Sequence, residues 1–292
     1  MIPTVKTKLY GVFGWPLGHT LSPFIHNPIF KKEKIDAIYL AIEIKPQKFN
    51  RDFIESLKTL NFGGFNLTLP YKKKVIPFLD ECDETSKRIG AVNTVVNKND
   101  KFIGYNTDRI GFYKAICSSF PSLNLKGSNV LILGAGGAAF SVAWSCLERG
   151  SETLIIANRT LQNAEQLKRK LKQKFNKKNI ITFKLTDDIL FKLKEGLKPV
   201  LIINATSYGL KSEKKSLIEF PYPDNPIYVM DLIYNPKTMF LKEADKKGYI
   251  TADGLSMLVE QGLEAFRLWT GILPDSKNVE KTLRNILNQK NK

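Results

Sequence analysis

Residues Val130–Thr160 read VLILGAGGAAFSVAWSCLERGSETLIIANRT, and their types and spacing restrict the chemistry of the chain more than any other stretch. The apolar run Val130–Leu133 reads as a buried strand. Gly134, Ala135, Gly136, Gly137, Ala138 and Ala139 follow it in the pattern G-x-G-x-x-A. A helix-length segment and a second apolar run, Thr153–Ala157, complete a βαβ unit with its glycines at the first strand-to-helix turn. A pyrophosphate can approach such a turn because Gly134 and Gly136 have no Cβ, and the following helix offers unpaired N–H groups and positive dipole charge. The second strand ends on Asn158, Arg159 and Thr160, where an NAD site normally carries Asp or Glu for the ribose 2′-hydroxyl. A cation between two hydrogen-bonding side chains suits a 2′-phosphate, so the expected cofactor is NADP(H). The competing reading is a glycine turn that closes an α/β unit without ligand, with Arg159 a solvated loop cation.

A second group of polar residues falls in the first hundred positions, also at expected strand ends. Thr20 and Ser22 place two hydroxyls two residues apart at a helix start, where a carboxylate would also meet backbone N–H groups. Asn66 and Thr68 stand at the end of a third strand, with Lys72 just after it; Asn93 and Thr94 open a hairpin, and Asn106, Thr107 and Asp108 close it. Ligands gather at strand ends in α/β folds. Lys72 is followed by Lys73 and Lys74, so it also reads as part of a solvated helix face, and Asp108 also reads as the N-cap of the next helix.

The elements that must position these groups alternate. Strands are expected at Lys8–Phe13, Ala37–Ile44 and Gly64–Leu69, with a helix opening at Ser22-Pro23, Ser as N-cap, and an amphipathic helix at Phe49–Leu60. Lys72–Leu79 and Glu84–Ile89 read as helical, and Val92–Asn97 with Lys101–Tyr105 as a hairpin. Beyond the glycine turn come strands at Ile180–Lys184, Val200–Asn204 and Ile227–Leu232 with helices between, which implies a parallel sheet covered on both faces. The tail is mostly helical, and its first helix, Leu255–Trp269, carries one apolar stripe with Gln261 on its polar edge. The fold class is α/β with two domains: an N-terminal α/β substrate domain, 1–108 plus the returning helices of 256–292, and a Rossmann-type doubly wound dinucleotide domain, 109–255.

Composition excludes several alternatives. The apolar share of 43% and charged share of 25% are those of an ordinary globular protein. No apolar run is long enough to span a bilayer, and Lys6 and Lys8 are not followed by a signal-peptide core, so the expectation is a cytoplasmic protein with no membrane partner. The formal charge of +17 raises a nucleic-acid reading, but the lysines are spread along the chain rather than clustered with aromatics on one element, so no nucleic-acid partner is expected. Three cysteines without a C-x-x-C pair and two histidines leave no metal constellation. An enzyme built from this chain does its proton chemistry without a histidine base, or with His19 alone.

Eight motifs, GWPLGHTLSP, NLTLPYK, GAVNT, NTD, GAGGAA, NRT, NATSYG and DGLSMLVEQG, occur in this order from Gly14 to Gly262, and in them the chain resembles the shikimate dehydrogenase family. That resemblance implies NADPH-dependent reversible reduction of 3-dehydroshikimate to shikimate, a step of aromatic amino-acid biosynthesis. It implies Lys72 and Asp108 as the catalytic pair, Thr20 and Ser22 at the substrate carboxylate with Tyr234 on the same side, and Thr68, Asn93 and Gln261 at the ring hydroxyls. For the cofactor it implies the Gly134–Ala138 turn, Asn158–Thr160, Thr206 after a strand, and Leu232 and Gly254 near the nicotinamide. The family usually has serine where Thr20 stands, and threonine keeps the hydroxyl. A further basic residue often follows NRT by three positions; Asn163 stands there, which leaves Arg159 as the cation of that motif. A free lysine is a poor base, so Lys72 either is tuned by burial or acts as an electrostatic and orienting group. The expected partner is a small-molecule substrate, and the expected assembly is a monomer or homodimer. The alternatives are a quinate/shikimate dehydrogenase using NAD, which the Asn158-Arg159-Thr160 end disfavours, and a non-catalytic dinucleotide sensor, which the Lys72/Asp108 pair disfavours.

Overall fold

A computed structural model describes residues 2–18, 20–211, 213–235 and 237–290. His19 lies outside the described residues. The chain divides into two compact units, one of 1–111 with 259–292 and one of 112–258.

The first unit is built on β1 (Lys8–Gly14), α1 (Ser22–Lys32), β2 (Ala37–Glu43), α2 (Arg51–Thr59), β3 (Phe62–Leu67), α3 (Tyr71–Lys74), β4 (Glu81–Cys82), α4 (Glu84–Ile89), β5 (Thr94–Lys98) and β6 (Lys101–Tyr105). Its sheet has the order β2-β1-β3-β5-β6-β4. β1 runs parallel to β2 and β3, whereas β5 is antiparallel to both β3 and β6. The hairpin forms because Asn99 and Asp100 both take positive φ, 53° and 60°, the geometry that a two-residue turn requires. One face of the sheet buries Phe13, Phe65, Phe102 and Val95 with Ile54 and Leu57 of α2. α2 starts two residues later than its apolar pattern suggests, because Asn50 is its N-cap and accepts from Phe53 N at 2.9 Å.

Three local expectations are corrected. Ser22 is not the N-cap of α1: Leu21 occupies that position, no side chain caps the helix, and Ser22 is its first residue. Lys72–Leu79 is not one helix: α3 is a single turn, followed by a 3-10 turn at Ile76–Phe78, with Pro77 in the place of a helical donor. Asp108 is the first helical residue of α5 (Asp108–Ser119), and its carboxylate points elsewhere.

The second unit contains β7 (Asn129–Leu133), α6 (Gly137–Glu148), β8 (Thr153–Asn158), α7 (Leu161–Lys172), β9 (Asn179–Lys184), α8 (Ile189–Lys192), β10 (Leu201–Asn204), β11 (Tyr228–Asp231), α9 (Met239–Lys246) and β12 (Ile250–Ala252). The sheet order is β12-β11-β10-β7-β8-β9, and every pair is parallel. Read from β9 this is the 3-2-1-4-5-6 order of a dinucleotide fold, with its switch point between β7 and β10. Its strands are continuous apolar runs, as a sheet buried on both faces requires. The expected helix between β10 and β11 is absent among the described residues. That connection carries Pro221, Pro223 and Pro226 and a lysine-rich stretch with no helical apolar period. The chain passes between the units within α5 and again within α10 (Leu255–Thr270), and α11 (Ser276–Lys290) ends it.

Candidate active site

Tyr71 fixes the segment that carries Lys72. It is fully buried, stacks on Phe49 with ring centroids 4.0 Å apart, and donates its hydroxyl to Ile44 O. Losing an aromatic ring of this kind costs about 3–5 kcal/mol. With Tyr71 inward, Lys72 is half-buried while Lys73 and Lys74 are exposed, so Lys72 is not part of a uniformly solvated face. Val92 N donates to Lys72 O at 2.7 Å, which ties this turn to the chain entering β5. Gly90 makes that entry possible, ending α4 with φ 67°.

Lys72 Nζ lies 2.6 Å from Asp108 Oδ2. The Asp108 side chain is 8% exposed and that of Lys72 23%, so the pair is shielded but reachable. Asn93, fully inside, organises the surroundings. Its amide nitrogen donates to Asp108 Oδ1 at 2.8 Å, Thr107 Oγ1 at 2.9 Å and Gln261 Oε1 at 3.2 Å, and its Oδ1 accepts from Thr107 N at 2.8 Å. One amide carries two hydrogens, so three acceptors compete for them. Gln261 reaches this cluster because α5 and α10 pack tightly at Gly111, where a Cβ would lie 2.6 Å from Gln261 Cβ.

The cluster continues through Thr94 and Asn66, polar candidates of the sequence, to Tyr39, whose role is not legible there as chemistry. Thr94 Oγ1 accepts from Asn66 Nδ2 at 2.9 Å, and Asn66 Oδ1 accepts from the Tyr39 hydroxyl at 2.7 Å. Burial pushes the Tyr39 phenol up, partly offset by the Ser22 hydroxyl beside it. Ser22 Oγ in turn accepts from Thr20 Oγ1 at 3.2 Å. A continuous polar path thus runs from the Thr20/Ser22 hydroxyls to the Lys72–Asp108 pair. Tyr39 reads as a core aromatic in a strand; the signal that could have exposed it is Asn66, a buried amide in the otherwise apolar strand FGGFNL. Behind Tyr39, His26 stacks at 4.3 Å between ring centroids, with Phe266 and Trp269 around it. Its Nδ1 has no hydrogen-bond partner among the described residues, and burial pulls its pKa down to about 3. His26 is therefore a neutral core side chain. Thr68 stands at the end of β3, with its N–H donated to Phe13 O at 3.0 Å.

The cofactor candidates lie together in the second unit, at the carboxyl ends of its strands. Gly134 has φ 114°, and a Cβ there would also meet Ala205 O at 3.0 Å, so only glycine fits. A Cβ on Gly136 or Gly137 would meet nothing within 4 Å, which is the open approach a pyrophosphate needs, and α6 begins there with no capping side chain and no acidic residue in its first turn. Ala135 and Ala138 flank that opening. Asn158 Nδ2 donates to Thr160 O at 2.8 Å and shapes the turn that leaves Arg159 exposed. Thr206 is held by Asn204, whose Oδ1 accepts Thr206 N at 3.0 Å and Thr206 Oγ1 at 2.7 Å. Asn204 is aimed by Asp231, a fully buried carboxylate that burial raises to about 6 against the hydrogen bonds from Thr238, Ile233 N and Asn204. Gly254 packs on Leu232 so closely that a Cβ would overlap the Leu232 carbonyl. Tyr234 follows β11 in this unit and is half-buried.

No group of three or more metal-ligating side chains occurs among the described residues, and no described helix is long and apolar enough to cross a membrane. A Rossmann-ordered sheet with an open glycine turn, together with a shielded lysine–carboxylate pair amid amides and hydroxyls, defines a dinucleotide-linked oxidoreductase.

The comparisons with known proteins name the family. Residues 12–95 match the model of the shikimate dehydrogenase substrate-binding domain, 116–217 that of shikimate/quinate 5-dehydrogenase, and 254–284 that of the shikimate 5′-dehydrogenase C-terminal domain. The chain is 42% identical to the shikimate dehydrogenase (NADP(+)) of Pyrococcus furiosus, over 91% of each chain, and 40% identical to that of Carboxydothermus hydrogenoformans, over 95% of this chain and 97% of the other. It superposes on the shikimate 5-dehydrogenase of Thermus thermophilus, solved in complex with NADP(H) and shikimate, with a TM-score of 0.83, 34% identity, and coverage of 96% of this chain and 99% of the other. The chain belongs to the shikimate dehydrogenase family.

Proposed function

We propose that this chain catalyses the reversible reduction of 3-dehydroshikimate to shikimate with NADPH, and that Lys72 and Asp108 are its catalytic pair. The observation that carries the assignment of the pair is the buried Asn93–Asp108–Lys72 cluster, in which the only half-buried lysine of a three-lysine run meets a carboxylate at 2.6 Å. When bound, NADPH supplies the hydride. The Gly134–Ala138 turn and the α6 N-terminus hold its pyrophosphate, Asn158, Arg159 and Thr160 its 2′-phosphate side, and Thr206, Leu232 and Gly254 its remaining length.

Reduction of a ketone builds negative charge on the carbonyl oxygen. The Lys72 ammonium stabilises that charge and delivers the proton that makes the alcohol. In the reverse direction the amine takes the proton back. Asp108 keeps Lys72 at its post with one oxygen, while Asn93 holds the other and prevents the carboxylate from turning away. Thr20 and Ser22 bind the carboxylate of the substrate through two hydroxyls already facing each other. Thr68, Asn93 and Gln261 receive the ring hydroxyls, Gln261 giving up the longest of the three Asn93 contacts to do so. A small polyhydroxylated acid is the only partner this reading requires. The three free cysteines fit a reducing, cytoplasmic setting, and the protein acts as a monomer or homodimer.

The test is direct. Adding 3-dehydroshikimate to protein and NADPH consumes the reduced-nicotinamide absorbance, with shikimate as the product. No consumption in either direction, with shikimate or quinate and with either cofactor, overturns the assignment.

A further inference from the structure

We propose that Lys184 forms part of the cofactor's 2′-phosphate site beside Arg159 and so helps set the preference for NADP(H) over NAD(H). The proposal rests on the NADP(H) reading given above. In the parallel ladder of β8 and β9, Lys184 is the register partner of Asn158, and Leu185 N donates to Asn158 O at 3.1 Å. Partnered residues of neighbouring strands lie about 4.8 Å apart and project from the same face. That face is the one α7 covers: Thr182, two residues before Lys184, hydrogen-bonds the Glu165 carboxylate of α7. From Thr182 to Lys184 the strand advances about 6.6 Å. Along α7, which returns from the end of β8 to the start of β9, the four residues from Glu165 back to Leu161 span about 6 Å. Lys184 therefore stands level with the first turn of α7, immediately after Arg159 and Thr160.

This turn is open to an anion. Its N-cap, Thr160, makes no side-chain cap hydrogen bond, and its first turn has no acidic residue. Arg159 and Lys184 are both exposed, and neither is paired with a carboxylate among the described residues. NADP differs from NAD by one phosphate, which carries a charge of about −1.5 to −2 at neutral pH. The two cations match that charge in kind and place: a guanidinium that offers a planar fork, and a flexible ammonium on the adjacent strand.

The experiment titrates wild type, Lys184→Ala, Lys184→Arg and Arg159→Ala with NADPH and with NADH, following nicotinamide fluorescence in the absence of substrate. Lys184→Ala is expected to weaken NADPH on the order of 10-fold, as loss of one charge-assisted contact does, and to leave NADH within about twofold. Lys184→Arg is expected to restore most of the loss. NADPH affinity unchanged in Lys184→Ala overturns the proposal, and so does an equal loss for both cofactors. A wild-type protein that binds NADH as tightly as NADPH instead overturns the NADP(H) reading on which it rests.

Discussion

His26 offers a measurable link between the packing of the first unit and its site. The imidazole lies behind Tyr39, whose hydroxyl holds Asn66, and burial depresses its pKa from 6.5 to about 3. A folded value below the unfolded one means that the stability of the neutral form is fully present above 6.5. It is lost as the pH falls from 6.5 towards 3. Between about pH 7 and about pH 5 the loss covers roughly 1.5 pH units at about 1.36 kcal/mol each, or about 2 kcal/mol. His26→Phe keeps a flat ring between Tyr39 and Phe266 and removes the titration. Urea unfolding at both pH values, followed by the fluorescence of the three tryptophans, of which Trp269 has its ring 5.2 Å from that of His26, gives the comparison. The acid-induced loss of stability is expected to be smaller in the variant by about 2 kcal/mol. Because the result is a difference of differences, other titrating groups cancel. Equal losses in the two proteins would refute the idea that His26 is held neutral in the folded state.

Three further outcomes follow from the site. Lys72→Ala is expected to lower turnover by about 10²–10⁴-fold, the range of a positioned proton-transfer group, and to leave NADPH affinity within about twofold; steady-state rates and a binding titration separate the two. Tyr39→Phe leaves Asn66 Oδ1 without its 2.7 Å donor, at about 1–3 kcal/mol of stability, and is expected to raise KM for shikimate while NADPH binding is unchanged; urea unfolding and initial rates check both parts. Asp231, raised from 3.8 to about 6, behaves oppositely to His26: its contribution is fully present below about pH 4 and is lost as pH rises through 6, about 3 kcal/mol in all. Asp231→Asn, with Thr238 turned to accept, is therefore expected to gain stability on wild type as pH rises from about 4 to about 7, measured as the shift in urea midpoint.

Legibility from residue order depends on length and locality. The βαβ unit was legible because its strands are unbroken apolar runs and Gly134 has a φ that only glycine readily adopts. The hairpin was legible because Asn99-Asp100 is a turn by side-chain chemistry alone. β4 and β12, two and three residues long, are too short to show any period. Ser22 looked like a helix cap by type, but its hydroxyl is engaged by Thr20 and Tyr39, and Tyr39 is a partner from another element that local reasoning cannot supply. The same holds for Tyr39, which looks ordinary within its own strand; only the β1-centred sheet brings it within hydrogen-bond reach of Asn66. Lys184 was visible only as a strand-end cation until its register with Asn158 was known.

The central claim is tested most directly by initial rates of the purified protein with shikimate and with quinate, each under NADP⁺ and NAD⁺. The expected result is a kcat/KM for shikimate with NADP⁺ that exceeds the other three combinations. A higher value for quinate, or for NAD⁺, would contradict the reading of the hydroxyl pair and of the Asn158-Arg159-Thr160 turn, and no activity in any combination would contradict the account as a whole.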